Sequence, residues 1–307
     1  MLRLLSPPLR DTIALILYTG NTIGCFITIL PLIVLKVISP TANLRHALTR
    51  LLMQLGMLWI GVNSWILRLT QRIEWDIEGL EGFDPRGSYL VISNHRSWAD
   101  ILVLQHLWKH RIPFLKFFLK KELIWVPLLG VAWWALDFPF MKRYSREYLK
   151  KHPEHKGRDI ETTKKYCERF KKSPISVINF LEGSRFDPEK HEKQGSPYKH
   201  LLLPRAGGVA VVLSAMGEML DAIIDVTIVY PENQAPLPFW TFLRGEIPVV
   251  VVRVRRLAVP EAFVGGNYEQ DEKLQQAFKD WINSLWAEKD QQIETILAQY
   301  GKVDKSS

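Results

Sequence analysis

Short apolar runs recur along this chain and are separated by turn-forming residues and by longer helical patterns. The runs at residues 89–93, 174–181, 223–230 and 247–259 are rich in Val, Ile and Leu, and residues 73–78, which contain Ile73 and Ile77, are also predicted to form a strand. Continuous runs of this length are typical of strands that are buried on both faces of a sheet. Arg253 and Arg255 in the run at 247–259 predict instead one buried and one solvent-facing side for that strand. The continuous runs therefore predict a sheet that lies inside the protein.

Helical patterns fall between and after these runs. Residues 101–108 and 157–172 predict helices, and over 269–301 apolar side chains keep helical spacing at Leu274, Phe278 and Ile282. Strands that alternate with helices favour parallel strand pairing, because the helices act as crossovers. The chain is therefore predicted to be α/β, with a largely parallel central sheet flanked by helices.

The N-terminal part contains a much longer apolar run than those predicted to form strands. Residues 12–38 contain one charge, Lys36, and about 20 apolar residues suffice to cross a bilayer. Pro31 interrupts the run, which leaves two interpretations: one tilted span, or a broken pair of helices that dips into one leaflet. The run is too long for a signal peptide and has no small-residue cleavage site. We expect residues 1–70 to form membrane-anchoring helices and residues 71–307 to form the α/β domain.

Two further apolar stretches lie beyond this run. Residues 51–69 carry Gln54, Asn63 and Arg68, which suits a helix at the membrane interface or packed on the domain. Residues 123–140 hold one charge, Asp137. This second stretch predicts a lipid-facing or acyl-chain-lining segment, with a membrane span as the alternative.

Charge adds a constraint on partners. The formal net charge is +8, and residues 142–172 hold twelve Lys and Arg against five Asp and Glu, a local excess of +7. A basic surface favours nucleic acid, acidic lipid or a phosphorylated substrate. The apolar N-terminus favours lipid and argues against nucleic acid. The two cysteines predict no disulfide framework.

His95 and Asp100 are the first candidate reactive pair. His95 follows the predicted strand at 89–93, and Asp100 lies five residues later, in the first turn of the next helix. A histidine that is hydrogen-bonded to a carboxylate is a general base with its orienting group. Arg96, Ser97 and Trp98 are predicted to be spacers. The alternative is a structural histidine beside a helix cap.

A second motif, Glu182-Gly183-Ser184-Arg185, follows the strand at 174–181. The carboxyl ends of parallel strands are where ligands bind. We expect Glu182 to contact substrate hydroxyls and Arg185 to contact phosphate. The alternative is an ordinary turn with a surface ion pair.

Four further patterns carry less weight. Arg143 ends an apolar run and suits a phosphate at a lipid–water boundary. Gly207-Gly208 opens an apolar helix and could offer backbone N–H groups to an anion. His106 and His110 are four apart, but a metal site would need a third ligand that is not evident. Ser97 and Ser184 lack the turn motif of a serine nucleophile.

Together, in this order, NHRSWAD, FMKR and EGSR resemble the motifs of the glycerolipid acyltransferase superfamily, which includes 1-acylglycerol-3-phosphate acyltransferases. The LLLPRAGG segment and the C-terminal WAEKD sequence are similar to the lysocardiolipin acyltransferase-like branch. The chain also resembles a bacterial group of 1-acylglycerol-3-phosphate acyltransferases. Ser184 departs from the family's usual Thr. The family's fourth motif, an apolar run with a proline, corresponds to Pro204 or to Pro231.

The resemblance implies transfer of an acyl chain from a thioester to the sn-2 hydroxyl of a lysophospholipid. Acyl-CoA is the expected donor, with acyl carrier protein as the alternative. We expect 1-acylglycerol-3-phosphate as acceptor, with lysocardiolipin and lysophosphatidylglycerol as alternatives. His95 and Asp100 would be catalytic. The implied substrate-binding residues are Arg143, Glu182, Gly183, Ser184 and Arg185.

The same resemblance implies no metal and no cofactor besides the thioester. Membrane lipids are expected partners and nucleic acid is not. Because acyl thioesters are cytosolic, the domain is expected on the cytoplasmic side of the inner membrane. A lipid ester hydrolase and a membrane-tethered nucleic-acid-binding protein are the alternatives from other classes.

Overall fold

The structure is a computed structural model that describes residues 6–141, 161, 165–168, 174–233, 237–266, 268 and 271–303. The described strands are β1 (Glu74–Glu78), β2 (Tyr89–Ser93), β3 (Leu115–Phe117), β4 (Leu119–Lys120), β5 (Phe140–Met141), β6 (Ser176–Phe180), β7 (Ala222–Val229) and β8 (Val249–Leu257). The described α-helices are α1 (Pro7–Ile38), α2 (Ala42–Thr70), α3 (Ala99–Trp108), α4 (Leu129–Ala135), α5 (Pro188–Gln194), α6 (Ala206–Met216), α7 (Phe239–Leu243) and α8 (Glu272–Val303). Short 3₁₀ turns lie at Lys121–Trp125, Gly217–Met219 and Glu261–Phe263.

Six strands form the central sheet in the order β1-β8-β7-β2-β6-β3. All neighbouring pairs within it are parallel except β7 and β8, which are antiparallel. The predicted α/β class with a largely parallel sheet is therefore confirmed. β4 and β5 form a separate two-stranded parallel pair.

Side chains of the central strand alternate between two hydrophobic cores. Val91 of β2 faces the core that includes α3 and part of the N-terminal helices, whereas Leu90 faces the core that includes α6 and α8. All five residues of β2 are buried. Helices on both faces explain why the strands appear in the sequence as unbroken apolar runs.

The N-terminal run forms one continuous helix, α1, so the interpretation as a broken pair of helices is wrong. α1 passes through Pro31 without ending. Among the described residues, it is the one helix that is long and apolar enough to cross a membrane. Both its ends contact the domain: Arg10 donates to the Arg244 carbonyl, and Lys36 donates to the Ala135 carbonyl at 2.6 Å. α1 therefore lies lengthwise on the domain.

α2 runs back along α1 and completes a helical hairpin. Asn21 on α1 donates to Asn63 Oδ1 on α2 at 2.8 Å. Leu52 and Leu67 of α2 belong to the same core as α3 and the sheet. Whether residues 1–70 are a separate domain therefore stays a prediction, although α2 ends at Thr70 and β1 begins at Glu74.

Residues 123–140 do not form a long helix, so the alternative of a membrane span there is wrong. The stretch divides into the end of a 3₁₀ turn, the seven-residue α4 and the start of β5. Leu128, at the start of α4, has a φ of 64° and marks the break. The short strands β3 and β4 and the short helices α5 and α7 were not predicted from the sequence. Most of the predicted helix at 157–172 lies outside the described residues.

Candidate active site

His95 and Asp100 are hydrogen-bonded to each other, as their spacing predicts. His95 Nδ1 lies 2.8 Å from Asp100 Oδ2. His95 follows the carboxyl end of β2, and Asp100 lies in the first turn of α3. A carboxylate can only accept, so Nδ1 carries the proton and Nε2 keeps its lone pair. Nε2 makes no hydrogen bond to the described residues and can accept a proton from a substrate.

Asp100 is fully buried and is held by four donors. Besides His95, the backbone N–H groups of Arg96 and Ser97 donate to Oδ2 at 2.6 and 2.9 Å, and the Tyr230 hydroxyl donates to Oδ1 at 2.7 Å. Burial raises the pKa of Tyr230 well above its usual value, so the hydroxyl keeps its proton and remains a donor. The predicted spacers Arg96 and Ser97 thus have a structural role through their backbone.

The His95 ring is also held from its face. It stacks on the ring of Phe180, the last residue of β6, with centroids 3.9 Å apart and an interplanar angle of 12°. Sequence inspection missed Phe180 because its position beside His95 depends on the pairing of β2 with β6. That pairing aligns Ser93 with Phe180. The stack and the Asp100 bond together fix the ring's orientation.

Asn94 and Ser97, which flank His95 and Arg96 in the loop, are both fully buried. Asn94 exchanges two hydrogen bonds of 2.8 Å with the backbone of Ile228 on β7. The Ser97 hydroxyl donates to the Leu237 carbonyl at 2.8 Å and accepts from Ala99 N–H. These contacts hold the loop in place. The Ser97 hydroxyl makes two hydrogen bonds of its own and is therefore not arranged as a nucleophile.

Glu182 comes from the adjacent strand end and supports the same loop. Its side chain is fully buried, and its two oxygens accept from His95 N–H at 2.7 Å and from Leu202 N–H at 3.0 Å. Burial raises the pKa of Glu182 to about 7, against the opposing effect of these two hydrogen bonds and of Arg96. In this conformation Glu182 positions the His95 backbone. Direct contact between Glu182 and substrate stays a prediction.

The rest of the second motif is more accessible. Gly183 has a φ of +65°, a conformation that favours glycine, and an added Cβ would lie 2.8 Å from Arg205 Cδ. Ser184 is half-buried and Arg185 is exposed. The Arg185 guanidinium lies 5.5 Å from the ring centroid of Trp98, beside the His95 loop. Gly183, Ser184 and Arg185 therefore follow directly on the residue that holds the His95 loop, and their role in substrate binding stays a prediction.

Arg143 lies outside the described residues, so its predicted contact with phosphate stays a prediction. The described chain reaches Met141, which pairs with Lys120 in the parallel β4–β5 pair. The two remaining histidine candidates do not share a helix, because α3 ends at Trp108. His106 stacks on Trp75 with centroids 4.9 Å apart, and His110 is exposed with a φ of 63°.

The C-terminal helix α8 contacts the segment that carries Leu202. The Trp286 indole N–H, which is fully buried, donates to the Leu202 carbonyl at 2.9 Å. Asp290 accepts from Lys199 N–H and His200 N–H at 2.8 and 2.7 Å. A chain of hydrogen bonds therefore runs from α8 through Leu202 and Glu182 to the His95 backbone.

Comparison with known proteins identifies the family to which this chain belongs. A sequence model of the Acyltransferase family matches residues 74–231, just over half of the chain. This chain belongs to the Acyltransferase family. The matched region contains the reactive pair, Glu182 and Tyr230, and it ends before α8.

Individual relatives agree with this membership. The chain is 26% identical over 257 residues to 1-acyl-sn-glycerol-3-phosphate acyltransferase 3 of Arabidopsis thaliana, a match covering 79% of this chain and 62% of that protein. It is 27% identical over 212 residues to the human 1-acyl-sn-glycerol-3-phosphate acyltransferase delta, covering 66% and 51%. It is 24% identical over 298 residues to lysocardiolipin acyltransferase 1 of Danio rerio, covering 91% and 69%. The chain thus spans between half and about two thirds of these relatives.

One solved structure shares the fold. The 1-acyl-sn-glycerophosphate acyltransferase PlsC of Thermotoga maritima superposes with a TM-score of 0.51 at 14% identity, covering 92% of this chain and 98% of that chain. The coverage includes most of the N-terminal helices as well as the α/β domain. The similarity in fold to this one structure therefore extends over nearly the whole chain.

Proposed function

We propose that this protein transfers a fatty acyl chain from an acyl thioester to the sn-2 hydroxyl of a lysophospholipid. The observation that carries the proposal is the His95–Asp100 pair at the carboxyl ends of three adjacent strands, whose Nε2 makes no hydrogen bond within the described part of the chain. Relatives named for acylation of 1-acyl-sn-glycerol-3-phosphate and of lysocardiolipin support the substrate class.

The proposed reaction needs one proton carrier. His95 Nε2 takes the proton of the acceptor hydroxyl, and the oxygen attacks the thioester carbonyl. The tetrahedral intermediate collapses, the carbon–sulfur bond breaks, and His95 returns the proton to the leaving thiolate. Asp100 stabilises the imidazolium that forms in between. General base catalysis of this kind contributes about 10²–10⁴-fold to the rate.

Arg185 supports recognition of an anionic headgroup. Its guanidinium is exposed beside the His95 loop, and Arg96 lies half-buried in that loop, 4.3 Å from the Phe186 ring centroid. Guanidinium groups pair with phosphate oxygens through two hydrogen bonds. We expect 1-acylglycerol-3-phosphate to be the preferred acceptor, ahead of lysocardiolipin and lysophosphatidylglycerol.

A small apolar void supports a place for the acyl chain. It lies among α1, α2 and α4, and Phe26, Trp59 and Trp133 line it. Its volume is about 60 Å³, whereas one water occupies about 30 Å³ of liquid. A fatty acyl chain is far larger, so it could enter only if the lining elements moved apart. This location agrees with the prediction that residues 123–140 line an acyl chain.

Membrane attachment is proposed through the hairpin. Leu9, Ile16, Ile23 and Leu30 recur every seven residues along α1 and are each at least 43% exposed. An apolar stripe of this kind suits a helix that lies in the membrane interface. Contacts at both ends of α1 favour this arrangement over a span that leaves the domain. We propose attachment to the inner membrane, with the domain on the cytoplasmic side.

A matrix of donors and acceptors tests the proposal. Purified full-length protein would be mixed with each of the three lysophospholipids and with either oleoyl-CoA or oleoyl-acyl carrier protein, and products would be read by mass spectrometry. We expect diacyl product from 1-acylglycerol-3-phosphate and oleoyl-CoA. Release of free oleate without diacyl product for any acceptor would instead indicate a hydrolase and would overturn the proposal.

A further inference from the structure

A second groove lies on the outer side of α2, far from His95. Its volume is about 670 Å³, and its apolar lining includes Met53, Met57 and Phe114. An adjoining cleft of about 540 Å³ shares Gly61 and Trp65 with it. We call the two together the α2 groove.

The α2 groove lies at the opposite edge of the sheet from the reactive pair. Pro85, Phe114 and Pro174 line it and precede β2, β3 and β6, whereas His95 and Glu182 follow the carboxyl ends of β2 and β6. The five residues of β2 span about 16 Å. A ligand in the α2 groove therefore does not occupy the catalytic site.

The charges around the α2 groove have one sign. Arg50 and Lys109 line the groove itself, and Arg68, Lys109 and Arg111 line the adjoining cleft. The described residues that line either part include no Asp or Glu. Burial, reinforced by Arg68, Lys109 and Arg111, lowers the pKa of His106 to about 4. The positive charges of these side chains therefore all lie close to the cleft.

The same side of α2 is apolar and exposed. Leu44, Leu51, Leu58 and Trp65 recur every seven residues and are 48%, 40%, 63% and 58% exposed. Leu58 and Trp65 also line the α2 groove. Seven-residue spacing places these side chains in one stripe, and Trp favours the boundary between water and lipid. An apolar stripe beside clustered cations fits a lipid rather than an acidic protein.

We propose that the α2 groove binds an anionic membrane phospholipid that is not the substrate. Its phosphate would lie near Lys109 and Arg111, and the upper part of an acyl chain would lie on the apolar floor along Met57 and Leu58. The inference rests on the proposed membrane attachment and adds a specific lipid class to it. Each cation near an anionic membrane surface contributes roughly fivefold to partitioning.

Vesicle binding by matched double variants tests the inference. Lys109→Gln/Arg111→Gln removes two charges from the α2 groove. Lys273→Gln/Lys279→Gln removes two exposed charges from α8, on the other face of the sheet. Binding of the full-length protein would be measured by flotation on vesicles of phosphatidylcholine alone and on vesicles with 30% phosphatidylglycerol. Acyl transfer to a soluble short-chain acceptor reports that the catalytic site is intact.

The expected results separate the alternatives. The groove variant should bind phosphatidylglycerol vesicles about 10- to 30-fold more weakly than wild type, and the α8 variant less than threefold more weakly. Gly61→Leu should also weaken binding at unchanged net charge, because its side chain would fill both parts of the groove and displace the Lys109 ammonium, which lies 2.7 Å from a Cβ at that position. Inorganic phosphate at millimolar concentration should not compete, because a free anion lacks the acyl chain.

Several outcomes would overturn the inference. Equal weakening by both double variants would show a general charge effect, and an unchanged groove variant would show that the lipid binds elsewhere. Effective competition by inorganic phosphate would indicate a simple anion site. If the groove variant floated like wild type but lost binding to acyl carrier protein in a parallel pull-down, the groove would be a protein-binding site and the inference would be wrong. A wild-type protein that floats with neither vesicle would refute the proposed membrane attachment itself.

Discussion

Glu182→Gln distinguishes positioning from substrate binding. The carboxylate accepts from both His95 N–H and Leu202 N–H. Gln offers one acceptor and one donor, as does the protonated acid, so one of these N–H groups loses its partner. A hydrogen bond to a charged group is worth about 1.5–3 kcal/mol, and 1.4 kcal/mol is tenfold in rate. We therefore expect kcat to fall by about 10- to 100-fold while KM for both substrates changes less than threefold.

Glu182→Gln should lower kcat, but it should not lower the free energy of unfolding at pH 8. Burial raises the Glu182 pKa from 4.5 to about 7, so the folded protein favours the protonated form. Ionisation therefore costs folding stability as pH rises from 4.5 through 7, and the shift corresponds to about 3 kcal/mol. The contribution of the protonated Glu182 side chain to folding stability is fully present below pH 4.5 and is lost above pH 7. Since Gln does not ionise, the variant should be at least as stable as wild type at pH 8.

Two assays check this reasoning. Steady-state kinetics across pH 6–8.5 should show the ratio of wild-type to variant kcat rising through about pH 7, because groups common to both enzymes cancel in the ratio. Urea unfolding in detergent at pH 5 and pH 8 should show the variant gaining stability relative to wild type as pH rises. A tenfold increase in KM for the acceptor at unchanged kcat would refute the positioning role and would restore direct contact with substrate.

Other substitutions test separate contacts. Tyr230→Phe removes the donor to Asp100 Oδ1 and should lower kcat about tenfold with little change in KM, measured by initial rates. Lys289→Met removes a buried ion pair of 2.6 Å to Asp225, which keeps Arg255 as a partner. The substitution should lower the free energy of unfolding, measured in urea, by about 3 kcal/mol. Gly183→Ala forces a φ of +65° on an L-residue and should cost about 1–2 kcal/mol in the same measurement.

The sheet and the reactive pair could be predicted because local patterns determine them. β2 and β7 are buried along their whole length, so most of their residues are apolar on both faces. His95 and Asp100 are five residues apart and meet across one strand-to-helix loop. No long-range contact is needed to bring them together.

The surroundings of the pair could not be predicted, because they depend on strand order. Phe180, Glu182 and Tyr230 reach the His95 loop from β6 and β7, which flank β2 in the sheet but lie about 85 to 135 residues away in sequence. A carboxylate at a strand end looks available for substrate until the neighbouring strand buries it, as happens to Glu182. Trp286 is farther still and lies outside the matched family region.

The position of the helical hairpin on the domain also could not be predicted from the sequence. The composition of residues 12–38 predicts an apolar helix, but it cannot show that both ends of that helix contact the domain. Those contacts come from Arg10 and Lys36, which bind carbonyls at Arg244 and Ala135. Their partners lie 234 and 99 residues away along the chain, so only the folded structure reveals them.

The most direct test of the central claim is the acyl-transfer rate of His95→Ala compared with His46→Ala, an exposed histidine on α2. Both variants would be assayed with 1-acylglycerol-3-phosphate and oleoyl-CoA, after unfolding curves confirm that they are folded. General base catalysis by His95 predicts a loss of about 10²-fold or more for His95→Ala and less than twofold for His46→Ala. A His95→Ala enzyme with turnover close to wild type would contradict the account.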